Sequence, residues 1–359
     1  MLAPRSPMRR RKLWIALAVL LVVAAIAGVV YLRSRAAPEA ARLLPESDAV
    51  VFVNLRLVRL AHVFGEAPPV VYDTDYEQFI KETGFRFERD LDQAAFAVHA
   101  PTGPAAGGEG FFERARYSEV FIGKFNAQRA TNYFRKLSSG TEVYRDAVIH
   151  AIPYEGRTVR VAVLGLDTVA VSNLPDVTAI HQMIDKYRAA AWPASAPSLV
   201  RAQYRRIPVA SVAWALVRVP SSPAQGPPVP LPGGMQMPMP WLAGSTIVAS
   251  ARYLGALHLR VEALTRSEDD ARQLLDTAQT FFALIQGAES STTQGGTDTD
   301  VKAFFNSLKV EEHGKRVMLN ATIPQGFIRK ALGPPPSPPV AQPPPAPSQP
   351  PAKKHKRER

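Results

Sequence analysis

Three regimes of apolar and polar positions divide this chain. From Leu13 to Leu32 it reads LWIALAVLLVVAAIAGVVYL, with no charge. From about residue 42 to 332, short apolar runs and alternations interleave with helical spacings, and beyond Leu332 the apolar periodicity stops.

The first regime predicts a transmembrane helix over residues 13–32, since twenty residues at about 1.5 Å each span roughly 30 Å, a hydrocarbon core. Arg5, Arg9, Arg10, Arg11 and Lys12 precede it, and Arg33 and Arg35 follow. The denser positive side stays in the cytoplasm, which places residues 1–12 inside and 33–359 outside. Trp14 and Tyr31 stand near the two ends, where aromatic rings favour the interface. A cleaved signal peptide is the rival reading. Its apolar region normally runs about 7–15 residues, though Ala36-Ala37 offers a small-residue patch.

The middle regime alternates strands and helices. Ala49–Leu55, Ala94–His99 and Ser118–Phe125 read as strands, and Tyr76–Thr83 as a short helix. Asn126 caps a predicted helix over about 127–138, whose Ala130, Tyr133, Phe134 and Leu137 share a face. Short strands around VIHAIPY, RTVRVAVLG and DTVAVSN follow, divided by turn signals at Glu155-Gly156 and Gly165-Asp167. A helix over 175–189 closes this lobe. After a Pro/Ala-rich linker, 192–197, come a short helix near 198–205, a strand over 211–219 and a strand pair around Gly255. Ser267 then starts the strongest helix, with Ala271, Leu274, Leu275, Ala278, Phe282 and Ile285 on one face. A short helix, a hairpin turning at His313-Gly314 and a last helix end near Leu332.

The expected class is therefore α+β: a transmembrane helix, a linker over 33–41, two related lobes of mainly antiparallel sheet with packed helices (42–191 and 198–332), and a disordered tail (333–359). Each lobe holds a long Gly/Pro/Ala-rich loop between strands, 101–116 in the first and 220–244 in the second. That parallel suggests an old duplication. In the tail, eleven of the eighteen residues from Pro334 to Pro351 are proline, so polyproline II or disorder is expected. Lys353, Lys354, Lys356, Arg357 and Arg359 at its tip are candidates for contact with an anionic surface, against the plainer reading of a solubilising tail.

Charge sharpens this picture. The net charge is +12, but residues 1–35 carry seven positive charges and no acid, and the last seven residues carry +4, leaving +1 between. A basic nucleic-acid face is not indicated. The absence of cysteine excludes disulfides, thiolate metal sites and a cysteine nucleophile.

The segments LLPESDAVVFVNL and SLKVEEHGKRVMLNATIP resemble those of uncharacterised single-anchor extracytoplasmic bacterial proteins. The resemblance covers roughly residues 42–332 and rests on apolar patterns. It implies architecture and an inner-membrane, outward-facing location, and brings no activity.

No enzymatic signature stands out. The seven histidines are scattered, without HxH, HxxxH or HExxH spacing, and no nucleophile elbow, P-loop or dinucleotide fingerprint occurs. Asp73-Thr-Asp75 and Asp298-Thr-Asp300 lack the rest of a calcium loop and read as helix caps. The oddest stretch is PGGMQMPMPW, residues 232–241. Met235, Met237 and Met239 could ligate Cu(I) as soft thioethers, yet no histidine or cysteine stands near. The favoured reading is a sticky loop in which the three methionines, Trp241 and Leu242 dock a protein or lipid partner. A loop folded back on its own sheet is the plain alternative. The sequence thus points to a non-enzymatic, membrane-anchored binding or scaffold protein of the cell envelope, with no cofactor. A carrier or sensor of a small apolar ligand or Cu(I) comes second, and an unrecognised hydrolase third.

Overall fold

The computed structural model describes residues 36–61, 72–101, 114–190, 193–221, 229–230, 236–237, 242–292 and 299–332. The expected transmembrane helix and the tail with Lys353, Lys354, Lys356, Arg357 and Arg359 lie outside the described residues. Among the described residues, no helix is long and apolar enough to cross a membrane.

In the first half of the chain the elements are α1 (Glu39–Leu43), β1 (Ala49–Asn54), α2 (Leu55–Leu60), α3 (Thr74–Thr83), α4 (Phe87–Asp90), β2 (Leu91–His99), β3 (Arg116–Gly123), α5 (Ala127–Leu137), β4 (Gly140–Tyr144), β5 (Ala147–Tyr154), β6 (Arg157–Leu164), β7 (Thr168–Ser172) and α6 (Thr178–Arg188). The second half holds α7 (Ser198–Gln203), β8 (Ala213–Arg218), the two-residue strands β9 (Val229–Pro230) and β10 (Gln236–Met237), β11 (Thr246–Tyr253), β12 (Leu257–Leu264), α8 (Glu268–Thr292), α9 (Thr299–Ser307), β13 (Lys309–His313), β14 (Arg316–Ile323) and α10 (Gln325–Leu332). Local chemistry sets the boundaries. Asn54, Asp73, Asn126 and Ser267 each accept a backbone N–H three residues on, which satisfies an orphan donor of a first helical turn. The β5–β6 hairpin turns at Glu155-Gly156, both with positive φ (46° and 72°), the geometry a two-residue hairpin requires.

The fold is α+β around one antiparallel twelve-stranded sheet, ordered β13-β14-β12-β11-β8-β1-β2-β3-β7-β6-β5-β4. The two halves of the chain do not close separate sheets. β1 and β8 pair antiparallel, Phe52 opposite Trp214, and join both halves at the centre. The described part of the joint expected as a linker at 192–197 is packed. Pro193–Ser195 is a 3-10 turn, Ala196 is buried, and Ser198 donates its N–H and hydroxyl to Glu46. Lys186 donates to the Leu44 carbonyl beside it, and burial pushes its amine down to about 8, with Glu46 opposing.

Directly opposed residues share a sheet face, so the register sorts the two faces. The first face presents Val50, Phe52, Leu216 and Trp214, all buried. Ile180, Met183 and Ile184 of α6 pack there with Leu43, Leu199 and Val200 in the largest core cluster. Their spacing puts one apolar stripe of α6 on the sheet. The second face carries three smaller clusters. Phe85 packs with Phe79, Phe96 and Phe121, Val58 with Ile328, and Ala263 with Leu274.

On the second face of β5, His150 is 1% exposed and neither ring nitrogen has a hydrogen-bond partner. Burial, then Arg135, holds its pKa below 6.5. The unfolded chain therefore binds this proton more readily as pH falls below 6.5, and stability falls with it until the folded pKa is passed. His99, also depressed by burial, adds a separate share. We expect His150→Leu to shrink the drop in melting temperature between pH 6.5 and 5 without abolishing it. An unchanged acid profile would rule His150 out as a contributor.

Candidate functional site

Among the described residues, the helices on the first face of the sheet lie mainly over the first half of the chain. Over the first half of the chain, α1 and α6 lie on β2, β3 and β7, which present Ala95, Ala97, Val120 and Ala170, all buried. The same face of β11, β12 and β14 presents Ser250, Arg252, His258, Arg260, Asn320 and Thr322. Register lines these up in two rows. Ser250, Arg260, Asn320 and Lys309 stand opposite one another across four strands, and Arg252, His258 and Thr322 form the next row. Opposed side chains lie about 5 Å apart and neighbouring rows about 7 Å apart.

These rows floor a cavity of about 660 Å³, walled by Pro208 and by Asn306 and Ser307 at the end of α9. Ser307 Oγ fixes that wall. It donates to the Phe304 carbonyl at 2.6 Å and accepts the Thr322 N–H at 2.8 Å. Thr322 Oγ1 lies 3.3 Å from His258 Nδ1. Nε of Arg252 is buried without a hydrogen-bond partner. The lining holds Arg252, Arg260, Lys309 and His258, and among the described residues no carboxylate.

The nearest buried carboxylate is Glu262, two residues beyond Arg260 on the same face and 3% exposed. Arg206 and Arg316 approach its Oε1 at 3.0 and 3.5 Å, and Arg260 its Oε2 at 3.8 Å. One carboxylate thus faces three guanidinium groups, so the surround stays positive. Glu311, exposed on β13, is a further acid on this face of the outer strands. A second cavity, about 430 Å³, lies among Arg56, Arg59, Arg89 and Lys124 at the opposite side of the junction. There Arg59 is held by Asp92, and Arg89 by Asp90 at 2.8 Å, so two of its cations already have anionic partners.

None of the residues singled out in the sequence is among the described lining of this cavity. Met235, Met239 and Trp241 lie outside the described residues. Met237 contributes backbone to the two-residue pairing of β10 with β9. Leu242 is not a projecting anchor. It is 9% exposed and packs with Val219 and Ala263, because Gly244, at φ 73°, turns the chain so that its N–H reaches the Val219 carbonyl. The two long loops also differ in position, one following β2 and the other β8. Both leave the sheet at the same end, beside Ala49, which pairs with Val98 and Val217. Among the described residues no three His, Asp or Glu converge as metal ligands. His258 and Arg260 were legible as polar positions alternating along a strand. Only the register unites them with Arg252, Asn320 and Lys309.

No family model matches the chain, and no curated protein matches it. Solved structures of TP0453 overlap this chain weakly. Crystal form III overlaps at a TM-score of 0.39 and 7% identity, covering 82% of this chain and 97% of that one. Crystal form IV overlaps at 0.37 and 8%, covering 82% and 96%. This is a weak likeness of fold and assigns no activity.

Proposed function

We propose that this is a single-pass envelope protein, its N-terminus cytoplasmic and its bulk outside, whose folded part binds rather than catalyses. Residues 13–32 hold it to the membrane, the open half of the first sheet face receives a partner, and the basic tail reaches an anionic surface. The carrying observation is the contrast within that face: small apolar residues under α1 and α6, and, among the described residues, an open floor of Arg, His, Asn, Ser and Thr over β11, β12 and β14. A solvated face accounts for alternating polarity alone, whereas a walled cavity with convergent donors fits ligand recognition.

The two halves also read as related lobes of one duplicated plan. In each, three strands run outward from the centre and a hairpin returns its last strand beside the third, as β1-β2-β3 with β7 and β8-β11-β12 with β14.

The test is a photo-crosslinking residue at Asn320, compared in living cells with the same residue at Leu166, which is 80% exposed. A discrete adduct from Asn320 and none from Leu166 is expected. Equal labelling, or no adduct at Asn320, would overturn the binding reading.

A further inference from the structure

Resting on that reading of the open half-face, we propose that its cavity binds a phosphate-class oxyanion, gripped between Arg252 and Arg260 with Lys309 and His258 at its rim.

Four observations converge. The first is charge: the lining carries two guanidinium groups, an ammonium and an imidazole, with no carboxylate among its described residues. The second is an unmet donor. Buried guanidinium nitrogens are ordinarily hydrogen-bonded, yet Arg252 Nε has no partner, so no protein acceptor already satisfies this guanidinium at that nitrogen.

The third is spacing. Arg252 opposes His258, and Arg260 lies two residues on, so the two arginines are diagonal neighbours with Cβ atoms roughly 7–8 Å apart. An oxyanion between them can take a hydrogen bond from each, and guanidinium forks match phosphate oxygens.

The fourth is the neutral shell. Ser250, Asn320 and Thr322 ring the same space and suit the remaining oxygens of a tetrahedral group. Glu262 does not cancel the site, because Arg206 and Arg316 lie closer to it than Arg260 does. The cavity, about 660 Å³, leaves room for whatever bears the phosphate.

The experiment uses the full chain in non-ionic detergent and titration calorimetry with three probes: inorganic phosphate, dihexanoyl phosphatidylglycerol and, as a zwitterionic control, dihexanoyl phosphatidylcholine. Saturable binding of at least one anionic probe is expected, weakened about tenfold or more in Arg252→Gln/Arg260→Gln and unchanged in Arg56→Gln. Binding of inorganic phosphate identifies a free phosphate as sufficient. Binding of phosphatidylglycerol alone identifies a lipid headgroup. Should the double glutamine variant fail to fold, Arg252→Lys/Arg260→Lys keeps the charge but loses the planar forks, and its affinity should still fall. No saturable binding of either anion, or equal binding by the variants, overturns the proposal. An Asn320 adduct in cells without anion binding would sink this assignment while leaving the binding reading in place. Anion binding without an adduct would support the oxyanion and sink the partner.

Discussion

Trp214→Ala is expected to cost about 3–5 kcal/mol and to uncouple the two halves of the sheet. Trp214 is 3% exposed, stacks on Phe52 at 5.3 Å and meets Tyr204 edge-on at 5.6 Å. It stands on β8 directly opposite Phe52 on β1, at the strand pair that joins the halves. Truncation removes a large apolar side chain and leaves a cavity that backbone hydrogen bonds on both sides keep from collapsing. Urea unfolding followed by circular dichroism is the check. The parent should unfold in one transition, and the variant should unfold earlier with the transition broadened or split. A shift below about 1 kcal/mol would mean the ring pair does not carry the junction.

Gly123→Ala is expected to cost about 1–3 kcal/mol or more, the price of overpacking against backbone. A Cβ there would lie 2.4 Å from the Asp90 carbonyl oxygen and 3.0 Å from Leu91 Cα. Neither can step aside. Asp90 O accepts the Lys124 N–H at 2.8 Å, and Gly123 N donates to Asp167 O at 2.8 Å. The register of β2 against β3 also shifts here, between Leu91 and Gln93. Gly140→Ala is the matched control. Nothing lies within 4 Å of its Cβ position, so its melting temperature should hardly move. Equal losses at both positions would refute the clash.

Much of the secondary structure was legible because its signals are local. Asp73, Asn126 and Ser267 cap the helices expected of them, and β1 falls on AVVFVN. Sheet closure was not legible. Nothing around Ala49–Asn54 or Ala213–Arg218 announces that these strands pair, since their contact is fixed by twist and burial across a long separation. The candidate site failed to show for the same reason. Arg252, Arg260 and Asn320 sit in three strands, each an unremarked polar position in an alternating run, and their meeting is a matter of register. The methionine stretch stands out by composition, which does not announce the place of Leu242: a turn at Gly244 tucks that side chain into a cluster with Val219 and Ala263.

The central place of β1 has a consequence for the order in which the chain is made. It is the first strand of the sheet to be synthesised, yet its two neighbours arrive at different times, β2 soon after and β8 only once the whole first half is complete. Until Ala213–Arg218 emerges, one edge of β1 offers its N–H and C=O groups to any passing strand. The nascent first half is therefore an aggregation-prone species, and a chaperone that shields a bare strand edge would act on this protein in that interval and lose its target once β8 docks.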